Sequence, residues 1–285
     1  MYPAYLTEEK LREFIQNAMV EDHQEGDHTS LGSIPKGTQV QAQLLFKQDG
    51  IVAGMEMARI IFDIVSKDLL FEPFKKDGKA IHAGELGFKV SGDAIQVLGA
   101  ERLVLNCMQR MSGIATYTHY LKSLIQNSKA QLLDTRKTTP NFRIAEKWAV
   151  EIGGGMNHRF GLYDMIMLKD NHIDFAGSVA QALKSIKSYL KKSKKKLKIE
   201  IEVRSLQELR EVIEVGGVDR IMLDNMMPSQ IRQGIAMIDG KYETEASGGI
   251  TEMSISEIAN TGVDYISVGA LTHSYKSLDM SLKAI

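Results

Sequence analysis

A chain of 285 residues with a formal net charge of −1 has no whole-molecule field to recruit nucleic acid or an anionic membrane. Its 44% hydrophobic and 25% charged content is that of an ordinary globular protein, long enough for one barrel-sized domain and a smaller companion. The single cysteine, Cys107, excludes an intramolecular disulfide, suits a reducing compartment, and sits in an apolar run (Leu103-Val104-Leu105-Asn106-Cys107-Met108) as a buried thiol would. No apolar run approaches the roughly 20 residues that cross a bilayer. The first residues show no basic-then-apolar signal segment, so the expected location is the cytoplasm, with no membrane or nucleic-acid partner.

Leu11, Phe14, Ile15, Ala18 and Met19 recur at helical spacing behind Thr7, a suitable N-cap. Val40, Ala42, Leu44 and Phe46 then alternate as a half-buried strand does, and 53–65 returns to helical spacing. Strand-like pieces at Phe88-Lys89-Val90 and Ile95-Gln96-Val97-Leu98 are separated by Ser91-Gly92-Asp93, read as a turn, and a helix is expected from about Glu101. This irregular mixture predicts an α+β domain.

From about residue 130 the pattern becomes regular. Short apolar strands are expected at 131–133, 165–168, 199–203, 221–223, 242–246 and 265–268, with helices at 144–150, 179–190, 206–215, 229–238 and 254–260. Such alternation means parallel strands. Most of these strands hand over to a polar tip: Asp134-Thr135-Arg136-Lys137, Lys169-Asp170-Asn171-His172, Asp224-Asn225, Ser247-Gly248-Gly249 and Gly269-Ala270. In a β/α barrel those tips converge on one mouth, where the active site is built. Glu200 and Glu202 alternate with Ile199, Ile201 and Val203, so both leave one face of a strand, toward the barrel interior. The run Lys191-Lys192-Ser193-Lys194-Lys195-Lys196 follows a helix and lacks aromatics, and reads as a solvated connector.

Arg136, Lys137, His158, Arg159 and Lys169 fall at strand ends or loops, and five cations at one mouth repel unless an anion lies among them. Arginines suit a dicarboxylate and compact lysines suit phosphate, the bland alternative being structural ion pairs. Glu202 and Asp224, with Glu200 as a lesser candidate, offer few hard oxygens, as a Mg²⁺ site completed by phosphates would, or could steady a cationic sugar carbon. They could also merely neutralise the lysines. Glycine pairs after late barrel strands, Gly248-Gly249 with Ser247 and then Gly269, are placed to cradle phosphate. The residues by themselves suggest a phosphorylated sugar, Mg²⁺ and an acidic second substrate, without naming the reaction.

Several segments taken together resemble the quinolinate phosphoribosyltransferase family, also called carboxylating nicotinate-nucleotide pyrophosphorylases. They are Glu101-Arg102-Leu103-Val104-Leu105-Asn106, Asp134-Thr135-Arg136-Lys137-Thr138, Gly153-Gly154-Gly155-Met156-Asn157-His158-Arg159, Lys169-Asp170-Asn171-His172, Glu200-Ile201-Glu202-Val203, Glu245-Ala246-Ser247-Gly248-Gly249 and Val268-Gly269-Ala270-Leu271-Thr272-His273-Ser274. The resemblance implies an open, incomplete β/α barrel (113–274) with an N-terminal α+β sandwich domain (1–112) joined by the C-terminal tail (275–285). It implies transfer of phosphoribosyl from phosphoribosyl pyrophosphate to quinolinate with Mg²⁺, giving nicotinate mononucleotide, pyrophosphate and carbon dioxide. It also implies a homodimer with active sites at the interface. By the same resemblance Arg136, His158, Arg159 and Lys169 would hold quinolinate, with Arg102 reaching in from the partner. Lys137 would serve the phosphates, Glu202 and Asp224 the ribose and metal, and Ser247, Gly248, Gly249 and Gly269 the phosphate ends. Lys137, Lys169, Glu202 and Asp224 would act in catalysis; His273 matches a motif without an assigned role. Asn141 and Glu25 depart from the family pattern, where relatives often place Gly and a small residue. Two rivals are a related molybdate-transport-associated pyrophosphorylase-like protein, whose cation set is expected to differ, and a non-catalytic sugar-phosphate binder, which would lack Glu202 and Asp224.

Overall fold

A computed structural model describes residues 3–285; the first two residues of the expected 1–112 domain lie outside the described residues. In chain order the elements are α1 (Glu8–His23), α2 (His28–Ser33), β1 (Gln39–Phe46), β2 (Gly50–Ile51), α3 (Met55–Val65), β3 (Leu70–Pro73), β4 (Ala80–Ile81), β5 (Leu86–Asp93) and α4 (Ala94–Leu124). There follow β6 (Gln131–Leu133), α5 (Arg143–Ile152), β7 (Ile166–Leu168), α6 (Asp170–Ala176), α7 (Val179–Ser193), β8 (Ile199–Val203), α8 (Leu206–Val215) and β9 (Arg220–Asp224). The chain ends with α9 (Pro228–Ile238), β10 (Glu243–Ser247), α10 (Ile255–Ala259), β11 (Tyr265–Ser267), α11 (Ala270–His273) and β12 (Met280–Ala284).

Two compact units result. The first runs to His119 and includes Lys137–Gly154 and Ala270–Ile285; the second comprises Tyr120–Arg136 and Gly155–Gly269. In the first, an antiparallel sheet has the order β12-β1-β5-β3, so the C-terminal strand lies beside β1, with Leu44 opposite Leu282. Phe62 of α3 meets Phe88 of β5 at 5.8 Å between ring centroids, and Phe71 of β3 lies 4.8 Å from Phe88. These rings bury a large apolar area between helix and sheet. The start of α3 has no side chain of its own to cap it, because Gly54 stands at the N-cap. Asp77 supplies the acceptor instead, taking the amides of Met55 at 2.9 Å and Glu56 at 3.3 Å. Thr7 caps α1 as the sequence predicts, accepting from the Lys10 amide.

Two expectations fail in this unit. Ser91-Gly92-Asp93 is the end of β5 and not a turn, and 95–98 is helical, because α4 begins at Ala94 and continues for 31 residues. Asp93 explains the second point: its Oδ1 accepts the amides of Ile95 and Gln96, as an N-cap carboxylate does.

The second unit holds six parallel strands in the order β6-β11-β10-β9-β8-β7, the six expected from the sequence, with helices between most of them. Among the described residues no pairing closes β6 onto β7, so the barrel is open. α6, which follows Lys169 directly, has no counterpart among the helices expected from the sequence. All five residues of β8 are buried, Ile201 and Val203 completely. Leu209 and Val212 of α8 and Ile231 of α9 are likewise buried, as the apolar stripe of a barrel helix should be. The lysine-rich run from Lys191 is exposed throughout, the solvated connector expected.

Candidate active site

Because the six strands are parallel, their C-terminal ends share one edge of the sheet. Asp224 ends β9 in register with Ser247, which ends β10, and Glu202 is the penultimate residue of β8. Lys169 directly follows β7, Arg136 follows β6 by three residues, and Gly269 follows β11 by two. The second unit therefore brings Arg136, His158, Arg159, Lys169, Glu202, Asp224, Ser247, Gly248, Gly249 and Gly269 onto one compact body. Arg102, exposed on α4, and Lys137, also exposed, belong to the first unit.

Electrostatics mark the mouth. Burial and the neighbouring Arg136 together hold the Arg159 guanidinium below its ordinary pKa, although Glu200 and Asp164 act the other way. Arg159 Nη1 donates to the Met165 carbonyl at 3.3 Å. Lys169 Nζ lies 2.7 Å from Glu202 Oε2, so one lysine and one carboxylate of the expected set form an ion pair. Asp224 Oδ2 accepts from Asn225 Nδ2 at 2.6 Å, and the Asn225 amide donates to the Ser247 carbonyl at 2.9 Å. Gly248 has φ +90°, and a Cβ there would clash with the Asn225 side-chain amide. Only glycine fits that turn, which leaves bare backbone at the end of β10.

His158 is turned inward more than the sequence reading had it. Its Nε2 lies 2.9 Å from Glu200 Oε2 and 3.5 Å from Glu245 Oε2, both carboxylates fully buried, and its Nδ1 accepts the Arg159 amide at 2.7 Å. Burial opposes the imidazolium, but the two carboxylates outweigh it and raise the pKa to about 9. The neutral ring keeps the Arg159 contact; the charged ring must give it up. Glu200 is raised by burial against its pairing with His158, whereas His158 and Arg220 hold Glu245 below its ordinary value despite burial.

In the first unit Lys137, Thr138, Thr139, Arg110, His273 and Tyr275 line a cavity of about 490 Å³. Thr272 Oγ1 donates to the Lys137 carbonyl at 2.9 Å, and Arg110 forms a double hydrogen bond to the buried Glu146. Sequence reasoning missed Arg110, Glu146, Arg220 and Glu245. The last two were accessible in principle: Arg220, Met222 and Asp224 alternate on β9, and Glu243, Glu245 and Ser247 on β10, as Glu200 and Glu202 do on β8. Asn141, one of the departures from the family pattern, has φ +61°, a conformation glycine adopts without strain.

An open β/α barrel with cations, two carboxylates and bare glycines at its C-terminal edge defines a phosphoribosyltransferase-type enzyme. The family described as Quinolinate phosphoribosyl transferase matches this chain twice, its N-terminal domain over residues 27–112 and its C-terminal domain over 114–283. The mitochondrial quinolinate phosphoribosyltransferase [decarboxylating] 2 of Nicotiana glauca is 46% identical over 99% of this chain and 84% of its own length. The probable nicotinate-nucleotide pyrophosphorylase [carboxylating] of Bacillus subtilis is 41% identical over 96% of this chain and 93% of its own. Among solved structures, NadC from Streptococcus pyogenes superposes with a TM-score of 0.90 at 38% identity, covering 98% of both chains. The chain belongs to the quinolinate phosphoribosyl transferase family, and its activity is the decarboxylating phosphoribosyl transfer of NAD biosynthesis. No helix among the described residues is long and apolar enough to cross a membrane.

Proposed function

We propose that this reaction runs at the C-terminal edge of the six-stranded sheet with the residue roles expected from the sequence. The observation that carries the reading is that Arg136 and Lys169 follow the C-terminal ends of parallel strands, with Arg159 half-buried and within electrostatic reach of Arg136. Quinolinate supplies two carboxylates, and two forked guanidiniums bind them bidentately. With the ring so placed, its nitrogen faces the ribose carbon, and positioning replaces any nucleophilic side chain. Lys169, Glu202 and Asp224 surround the developing charge, and Lys137 serves the phosphates. Ser247, Gly248, Gly249 and Gly269 offer backbone and hydroxyl donors to the phosphate end. Decarboxylation follows from the cationic pyridinium: the bond from C2 to its carboxylate breaks, the electron pair stays at C2 stabilised by the adjacent positive nitrogen, and a proton from water then takes the place of the departed carbon dioxide.

Glu202 and Asp224 fit Mg²⁺: they are two hard carboxylates from adjacent strands, few enough to leave positions for phosphate oxygens and water. Bound there, the ion would neutralise charge on the departing pyrophosphate. Exposed Arg102 suits a role across a homodimer interface. A cytoplasmic location suits the lone buried thiol, although Nicotiana and Arabidopsis relatives carry mitochondrial and chloroplastic names.

The test is pyridine-nucleotide absorbance from purified protein with phosphoribosyl pyrophosphate, Mg²⁺ and either quinolinate or nicotinate. Quinolinate is used and nicotinate, lacking the 2-carboxylate, is turned over poorly. Comparable turnover of both acids overturns the assignment of the arginines. For the dimer, Arg102→Ala and Arg136→Ala are each nearly inactive and regain activity when mixed; no recovery after demonstrated subunit exchange removes Arg102 from the partner's site.

A further inference from the structure

Below the strand ends, inside the second unit, lies a group of buried charges to which the reaction assigns nothing. Glu245 sits in the middle of β10, fully buried, and its Oε2 accepts from Arg220 Nη1 at 2.9 Å. Arg220 also pairs with Glu243 at 3.1 Å, and its guanidinium stacks 3.9 Å above the Tyr265 ring. That guanidinium is therefore fixed in place by two carboxylates and an aromatic face. The oxygen of Glu245 that it holds is the one 3.5 Å from His158 Nε2, while Glu200 approaches the same nitrogen at 2.9 Å. The ring's other nitrogen lies 2.7 Å from the amide nitrogen of Arg159. One imidazole, its side chain 6% exposed, thus lies between two buried carboxylates and the backbone of a residue expected to grip substrate.

A single carboxylate facing an imidazole nitrogen leaves the ring free to swing about that contact. Two carboxylates, from strands on either side of β9, leave it one orientation. Swinging the ring away would strip a buried acid of its partner, which is costly. We propose that Glu245, held by Arg220, is a positioning residue that fixes His158 and through it the His158–Arg159 corner receiving the pyridine dicarboxylate. This rests on the reading that the corner binds quinolinate. His158, Glu200 and Glu245 also have donor atoms close enough together to suit a metal ion. Arg220 already occupies the Glu245 oxygen that faces His158, and a divalent cation would have to displace that largely shielded guanidinium. The ion-paired arrangement is favoured.

The experiment is a double-mutant cycle on the whole protein with Glu245→Gln, His158→Gln and the pair, reading kcat and both KM values. Glu245→Gln raises the quinolinate KM about tenfold and leaves the phosphoribosyl pyrophosphate KM within about twofold. In the His158→Gln background the same substitution adds nothing, because its effect passes through the ring. Should Glu245→Gln fail to fold, Arg220→Lys, which keeps the charge but not the fork, is expected to show the same split. Additive effects in the cycle, or a phosphoribosyl pyrophosphate KM that rises in step, overturn the positioning role. A quinolinate KM raised by His158→Gln but not by Glu245→Gln overturns this inference alone. One unchanged by His158→Gln overturns it together with the role of His158 in substrate binding. A stoichiometric transition metal that copurifies with the wild type and is lost with Glu245→Gln overturns it in favour of a metal centre.

Discussion

Glu146→Gln removes one charge and almost no volume from a buried junction in the first unit. Glu146, on α5, is fully buried; its Oε1 accepts from Arg110 Nε at 3.1 Å and Nη2 at 2.9 Å, and its Oε2 accepts the Thr139 amide at 3.0 Å. Arg110 also holds the Thr139 hydroxyl, and its guanidinium lies 5.3 Å from the centroids of both Phe142 and Tyr275. Three N–H donors thus aim at two carboxylate oxygens. Glutamine has one oxygen and an NH₂, so one of those donors must face another donor. Breaking a fully buried pair costs about 3–5 kcal/mol. Arg110 is 34% exposed, and water recovers part of that loss. A cost of about 2 kcal/mol is therefore expected, close to a buried hydrogen bond with a charged partner. For a chain of this size that lowers Tm by roughly 4 °C. Thr139 stands two residues from Lys137, so loosening the junction should also raise the phosphoribosyl pyrophosphate KM about fivefold while the quinolinate KM holds. Thermal melts and steady-state kinetics check both. A Tm within about 1 °C of wild type, with both KM values unchanged, would refute the reasoning.

Glu202→Gln and Asp224→Asn should each lower kcat by about 100-fold with quinolinate affinity nearly unchanged, since stabilisation of developing charge is felt in the transition state. Glu200→Gln, whose partner is also His158, should lower stability and raise the quinolinate KM as Glu245→Gln does, with kcat little changed; a larger kcat loss than Glu202→Gln in parallel kinetics would reverse the order of the two carboxylates along β8. Burial pushes the Cys107 thiol up to about 12, so iodoacetamide at neutral pH should label it only after denaturation, and rapid labelling of native protein by mass spectrometry would contradict its burial. His158 is raised from 6.5 to about 9, so its stabilising charge is fully present below the unfolded value and lost as pH rises through about 9. Melting temperature should accordingly fall over that window, and the fall should be smaller in His158→Gln.

The barrel strands were legible because each is a short apolar run that ends on a polar tip, and parallel topology sends all those tips to one edge. That is why Lys169, Asp224 and Ser247 could be placed from local sequence alone. The start of α4 was misread because Ile95 and Val97 mimic a strand over four residues. The longer row of buried Ala94, Val97, Ala100, Val104 and Met108 has helical spacing, and Asp93 ahead of it is an N-cap. A window of one helical turn cannot separate the two periods; three turns can. The buried charges resist sequence reading for a different reason. Arg220 sits opposite Glu200 on one side and Glu243 on the other, a relation set by the register of three strands. Its shortest contact, to Glu245, runs diagonally across that register. His158 reaches the same interior from a loop, so its partners depend on how the chain between β6 and β7 folds back. Local pattern identifies residues that face a mouth, because that needs only strand direction. Which of them then face each other depends on register and on loop path, and the contacts of His158 with Glu200 and Glu245 are of that kind.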